Sequence, residues 1–254
     1  MKLIVHRGTN IYSQENSISG IKEIRELTKD AIIEIDIVPT KDNKLVLFHD
    51  FTLDRLLGIK ELIFNLTLKE LNSLDEEYQF ITLDELLLLF PDQSFLLDIR
   101  CNYHKDYFVG SEIDPLSIKI DIFDKYTKNF INISNKNITL MCSDIKQAKR
   151  FKDILDVDID LSENCTREYL KQIENEKNLD CINFKIKNIH IQNKFITKNL
   201  LDIFHNNDVK VFSTPSMSRS LQNSKIMLDK AKNLGCDAIW LSPIDDIIIK
   251  ELNE

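Results

Sequence analysis

Short apolar runs alternate with amphipathic stretches along the whole chain. Nine runs read as strands: KLIVH (2–6), AIIEIDIV (31–38), KLVLFH (44–49), FLLDIR (95–100), ITLMC (138–142), VDIDLS (157–162), DCINFKI (180–186), VKVFST (209–214) and DAIWLS (237–242). Each is rich in β-branched or aromatic residues, which suit a pleated and half-buried surface. Between most of them the pattern changes to helical spacing, at 15–29, 82–90, 143–155, 166–177, 197–207 and 220–234. Thr82, Ser143 and Thr166 open three of these stretches and predict helix N-caps. Strand–helix units of this length predict parallel strands joined by crossover helices.

An open doubly wound sheet and a closed barrel both fit that alternation. Gly8, Gly20, Gly58, Gly110 and Gly235 are too dispersed to form a glycine-rich dinucleotide loop, which counts against the open Rossmann-type sheet. A (β/α)8 barrel typically has ~250 residues, and this chain has 254. The expected fold is therefore α/β, a (β/α)8 TIM barrel with an additional hairpin strand near the N-terminus. No linker, repeat or low-complexity stretch divides the chain, so residues 1–254 are expected to form one domain. Residues 101–136 read as a long loop followed by an amphipathic segment.

The hairpin would supply the ninth strand. Residues 31–38 and 44–49 flank TKDNK, and Asp42-Asn43 can make a two-residue turn. Opposing residue numbers then sum to 85, so Asp36 faces His49 and Glu34 lies two residues along on the same face. Taken alone, Glu34 and Asp36 are more simply strand-end groups in water, and His49 a satisfied core histidine. Two carboxylates at i, i+2 repel, however, and both stay ionised where a cation sits between them. Oxygen-only ligation favours Mg2+ or Ca2+. His6-Arg7-Gly8 ends the first strand, and Asp98 and Arg100 end another. On one barrel rim, such a set suits phosphodiester cleavage. A divalent cation and arginines would neutralise the phosphoryl oxygens, one His would take a proton and the other would give one.

Charge and composition narrow the picture. The net charge is −8, which opposes non-specific nucleic-acid binding. The five cysteines are scattered, without CxxC spacing, and an odd number fits reduced thiols. Only three apolar residues precede His6 and Arg7 after Met1 and Lys2, too few for a signal-peptide core, and no segment has the ~20 apolar residues of a membrane span. A cytoplasmic location is expected. His104, His190 and His205 lie outside the cluster, and Trp240 reads as barrel packing.

HRG at 6–8, EN at 15–16, ExD at 34–36, TKDN at 40–43 and HD at 49–50 resemble the glycerophosphodiester phosphodiesterase family in order and spacing. ITLDELLLLFPDQSFLLDIR (81–100) resembles a later family segment, and VKVFSTPS and GCDAIWLSP look like weakened versions of its last two barrel strands. The resemblance implies a TIM barrel that uses one divalent cation to cleave glycerophosphodiesters into an alcohol and glycerol phosphate. It implies His6 and His49 as the acid/base pair, Arg7 and Arg100 on the substrate phosphate, and Glu34, Asp36 and Asp98 as metal ligands. Glu15 would orient the site from behind. Asp98 and Arg100 depart from the glutamate and lysine usual in the family. Two alternatives stand beside hydrolysis. One is a non-catalytic barrel that binds phosphorylated metabolites; the other is a lyase or transferase that forms a cyclic phosphate.

Overall fold

The structure is a computed structural model. It describes residues 1–10, 13–75, 78–99, 108, 122–130, 137–143, 145–163, 170 and 186–254. Eight parallel strands close a barrel: β1 (Lys2–Val5), β2 (Ile32–Pro39), β4 (Phe95–Ile99), β5 (Ile138–Cys142), β6 (Asp158–Leu161), β7 (Asn188–Gln192), β8 (Lys210–Thr214) and β9 (Ala238–Leu241). Pairing of β1 with both β2 and β9 completes the ring. A ninth strand, β3 (Leu45–Leu47), lies outside it, antiparallel to β2. Its outer side is engaged as well: the Leu47 amide donates to the Ile81 carbonyl, and Val46 bridges Thr82. The edge is thus short and occupied, which guards against edge-to-edge association.

Local chemistry accounts for most helix ends. Thr82 forms a full capping box with Glu85 at the start of α4 (Leu83–Leu89). Ser17, Thr197 and Ser220 cap α1 (Ile18–Leu27), α7 (Lys198–His205) and α8 (Leu221–Leu234) through their hydroxyls. Gly235 ends α8 with φ 87°. The amphipathic segment expected after residue 101 includes a helix at Ile122–Phe130 whose Phe123, Tyr126 and Phe130 are buried. Its Tyr126 hydroxyl donates to the Ile37 carbonyl of β2.

Most apolar burial lies between the strands and the helices, as the alternation of each strand requires. Leu3 and Val5 belong to that layer, whereas Ile4 joins Leu96, Met141, Phe212 and Trp240 in a second, smaller cluster. The parity of Ile4 and Trp240, which pair in register, places this cluster inside the barrel.

Two expectations change. The hairpin turn has three residues, Lys41-Asp42-Asn43, with Asn43 at φ 59° and the Thr40 amide bonded to the Lys44 carbonyl. The pairs Ile37–Leu47 and Val38–Val46 therefore sum to 84. Asp36 does not face His49; its carbonyl accepts from the Phe48 amide. The strand expected at 180–186 falls almost wholly outside the described residues, as does the helix at 166–177. The described strand nearest the former is β7, NIHIQ.

Candidate active site

The carboxyl ends of the barrel strands open on a cavity of about 530 Å³. Its lining includes His6, Arg7, Glu34, Asp36, His49 and Asp98. Six of the eight residues expected at the site thus meet there. Glu15 stands behind them, and Arg100 lies outside the described residues.

The carboxylates come together through strand register. Glu34 and Asp36 sit two apart on β2, so both side chains leave on the luminal face. Parallel pairing sets Asp36 beside Asp98 of β4. One oxygen from each of Glu34, Asp36 and Asp98 lies within 4.8 Å of the others. Glu34 and Asp36 are each only 1% exposed. Burial, then the neighbouring Asp36 and Asp98, pushes the Glu34 carboxyl well above the usual carboxylate range. The trio offers only oxygen, so its donor chemistry fits a hard divalent cation.

The HRG turn supplies the next layer. Arg7 has a left-handed backbone (φ 56°), which turns its amide onto Glu34 Oε2 at 2.7 Å. Its guanidinium donates to Glu15 at 2.8 Å, and its Nε lies 3.4 Å from Asp36. Asn16, also left-handed, clasps Asp36 twice: its amide side chain donates to Oδ2 at 2.8 Å, and its side-chain carbonyl accepts from the Asp36 amide at 2.9 Å. Glu15 bridges Arg7 and Arg55. Burial opposes its ionisation, but the hydrogen bonds from Arg55 and Arg7 hold its carboxyl below the usual range. Arg55 also holds Asp50, and Asp50 accepts from His49 Nδ1 at 2.6 Å. Arg7, Glu15, Arg55, Asp50 and His49 therefore form one connected chain of charge-assisted contacts.

The two histidines have opposite partners. An ionised Asp50 can only accept, so His49 Nδ1 carries a proton, and in the neutral ring the lone pair lies on Nε2. Burial, His49 and Arg55 act on Asp50 together, and the last two keep it below the usual carboxylate range. His6 instead has Arg219 Nη2 at 2.8 Å from its Nδ1. A guanidinium cannot accept, so this Nδ1 is the acceptor and the ring proton sits on Nε2, 3.9 Å from Glu34 Oε2. Burial, then the positive charges of Arg7 and Arg219, lowers the His6 pKa well below its ordinary value. His6 is neutral in this setting.

Several residues of the site escape a reading by motif. His190 and Asp160 face the lumen from β7 and β6; each is at most 1% exposed. His190 Nε2 lies 3.1 Å from Asp160, and the Trp240 indole donates to His190 Nδ1 at 2.9 Å. Trp240 in turn flanks His6, with ring centroids 5.6 Å apart. Trp240 is barrel packing and cavity floor at once. Asn16 and Asp50 belong to the EN and HD pairs themselves, which give them a place in the pattern but no role. Arg219 belongs to a loop after β8 and carries no local signal.

Comparison with known proteins agrees with this geometry. The family model described as "Glycerophosphoryl diester phosphodiesterase family" matches residues 6–213. A glycerophosphodiester phosphodiesterase of Caldanaerobacter subterraneus is 36% identical over 107 residues, a stretch that spans 39% of this chain and 44% of that relative. An Oleispira antarctica phosphodiesterase, solved with sn-glycerol-3-phosphate, superposes with TM-score 0.70 at 16% identity over 100% of this chain and 97% of its own. A Thermotoga maritima glycerophosphodiester phosphodiesterase superposes with TM-score 0.66 at 16% identity, over 98% and 97% of the two chains. These last two establish the barrel. The matched stretch runs from the HRG turn to β8, and it makes the chain a member of the glycerophosphoryl diester phosphodiesterase family.

Proposed function

We propose that the protein hydrolyses a glycerophosphodiester to an alcohol and glycerol phosphate with the help of one divalent cation. The observation that carries this reading is the convergence of two differently protonated histidines on one three-carboxylate cavity. Glu34, Asp36 and Asp98 would hold the cation, Mg2+ or Ca2+, which would polarise the phosphoryl oxygens and offset their charge. Arg7, fixed by Glu15, adds a second positive group beside the phosphate.

His49 Nε2 takes the proton from the attacking water, and Asp50 steadies the imidazolium that forms. The new P–O bond forms as the P–O bond to the alcohol breaks. His6 gives its Nε2 proton to the leaving alkoxide. Solvent then removes the extra proton from His49 and restores the one lost by His6. The Oleispira neighbour, captured with sn-glycerol-3-phosphate, supports a substrate of this class.

The test uses EDTA-treated protein and a panel of glycerophosphodiesters, with Mg2+, Ca2+, Mn2+ or no metal, followed by phosphorus NMR. Products are expected only with metal. His6→Ala and His49→Ala should each lose about 10²–10⁴-fold in rate with unchanged circular dichroism. Full activity in both variants would sink the reading.

A further inference from the structure

Among the described residues, Arg219 is a cation at the cavity whose hydrogen bond goes to a ring nitrogen rather than a carboxylate. Arg7 and Arg55 are both tied to Glu15. Arg219 lines the cavity and donates to His6 Nδ1 at 2.8 Å. The loop that carries it is anchored nearby: the Asn223 side chain donates to the Ser218 carbonyl, and Ser220 caps α8. Two consequences follow from simple valence. With its Nδ1 lone pair engaged, His6 can carry its proton only on Nε2, the nitrogen nearer the carboxylate trio. With a cation at Nδ1, electron density is drawn from the ring, and the Nε2–H bond becomes a stronger donor.

We propose that Arg219 is a positioning residue for proton delivery: it holds His6 as an Nε2–H donor and strengthens that donor toward the leaving alkoxide. This rests on the hydrolytic reading above. In the step itself the Nε2–H bond of His6 breaks and an O–H bond forms on the departing alcohol. The pair left on Nε2 makes the ring an imidazolate, whose delocalised negative charge the Arg219 guanidinium at Nδ1 offsets until water returns a proton to Nε2. The contrast with His49 gives the argument its weight, because a carboxylate at Nδ1 there produces the opposite tautomer. Arg219 is itself exposed, so its hydrogen bond to His6 Nδ1, rather than burial, ties it to the site.

The test has two arms. Nitrogen NMR of the imidazoles in the metal-free protein reads the tautomer directly. His6 should be protonated at Nε2 alone in the wild type and become a mixture of tautomers in Arg219→Ala. The second arm compares glycerophosphodiesters with alkyl and p-nitrophenyl leaving groups, in the presence of metal. Because p-nitrophenolate leaves without a proton, Arg219→Ala should lower kcat by about 10–100-fold for the alkyl ester and by less than about 3-fold for the aryl ester. KM should change little, and Arg219→Lys, which can still donate, should recover part of the loss.

Equal losses on both esters, a loss confined to KM, or an unaltered His6 tautomer would each overturn the assignment. A wild-type protein that cleaves neither ester would instead defeat the hydrolytic reading, and the NMR arm would still decide the role of Arg219.

Discussion

Glu34 shows how one residue would couple a bound cation, charge and stability. Its carboxyl is buried beside two others, so it retains a proton to higher pH than an ordinary glutamate. A group whose folded-state pKa is raised stabilises the fold below its unfolded value. That contribution is lost as pH rises through the raised value, because the unfolded chain then gives up the proton more readily. A cation bound among Glu34, Asp36 and Asp98 would reverse the situation by favouring the ionised form. The rise in Tm on adding Mg2+ or Ca2+ should therefore be larger at pH 8 than at pH 5. At a hundredfold excess over Kd, binding adds about 2.7 kcal/mol, or roughly 5–10 °C in Tm for a domain of this size. Differential scanning fluorimetry at both pH values checks this. An equal shift at both would mean that Glu34 does not lose a proton when metal binds.

At the scale of elements, α1 and the HRG turn depend on each other through two glycines. A Cβ on Gly20 would lie 2.4 Å from the Gly8 carbonyl oxygen, a backbone atom that cannot swing aside. Gly8 itself has φ 52° and is packed by Ile35, Ile33 and Ile21. Gly20→Ala should push the turn off the barrel, costing about 1–3 kcal/mol and displacing the Arg7 amide from Glu34. Chemical denaturation and the phosphorus NMR assay measure the two effects. A variant with wild-type stability and rate would disprove the coupling.

The same elements show what the sequence reveals and what it hides. β2 and β4 are legible because every second residue is apolar, Ile33, Ile35 and Ile37 on one and Phe95, Leu97 and Ile99 on the other, and the ExD spacing already puts Glu34 and Asp36 on the opposite face. Register is harder. Asp42-Asn43 signals a turn, but whether two or three residues span it depends on Asn43 adopting φ 59° and on Thr40 bonding Asp42 and Lys44. One residue of difference moves His49 off the strand pair; it reaches the cavity from the loop that follows. β7 is obscured for another reason. Its luminal position His190 is polar, and DCINFKI just before it is the more apolar run. Arg219 meets His6 across 213 positions of sequence, so only the closed barrel brings them together.

For the molecule as a whole, closure of β1 onto β9 brings the His6 end of the chain against the loops that follow β8 and β9. His49 arrives from the other side of β1, through β2 and its hairpin. The two histidines therefore belong to different walls, one backed by a carboxylate and the other by a guanidinium. That difference gives the cavity a direction. A phosphodiester has two ester oxygens, and a site with equivalent histidines could expel either one. On the proposed hydrolytic reading, the ester oxygen nearest His6 would be the one to depart, whatever its chemical nature. An unsymmetrical diester should accordingly be cut at one bond only, with the same regiochemistry across alcohols of similar acidity. The identity of the phosphomonoester product, read by mass spectrometry, reveals which ester bond breaks, since the oxygen of water enters the phosphate whichever alcohol departs. Mixed cleavage would mean that the substrate chooses its own orientation; a single product would make it a property of the walls.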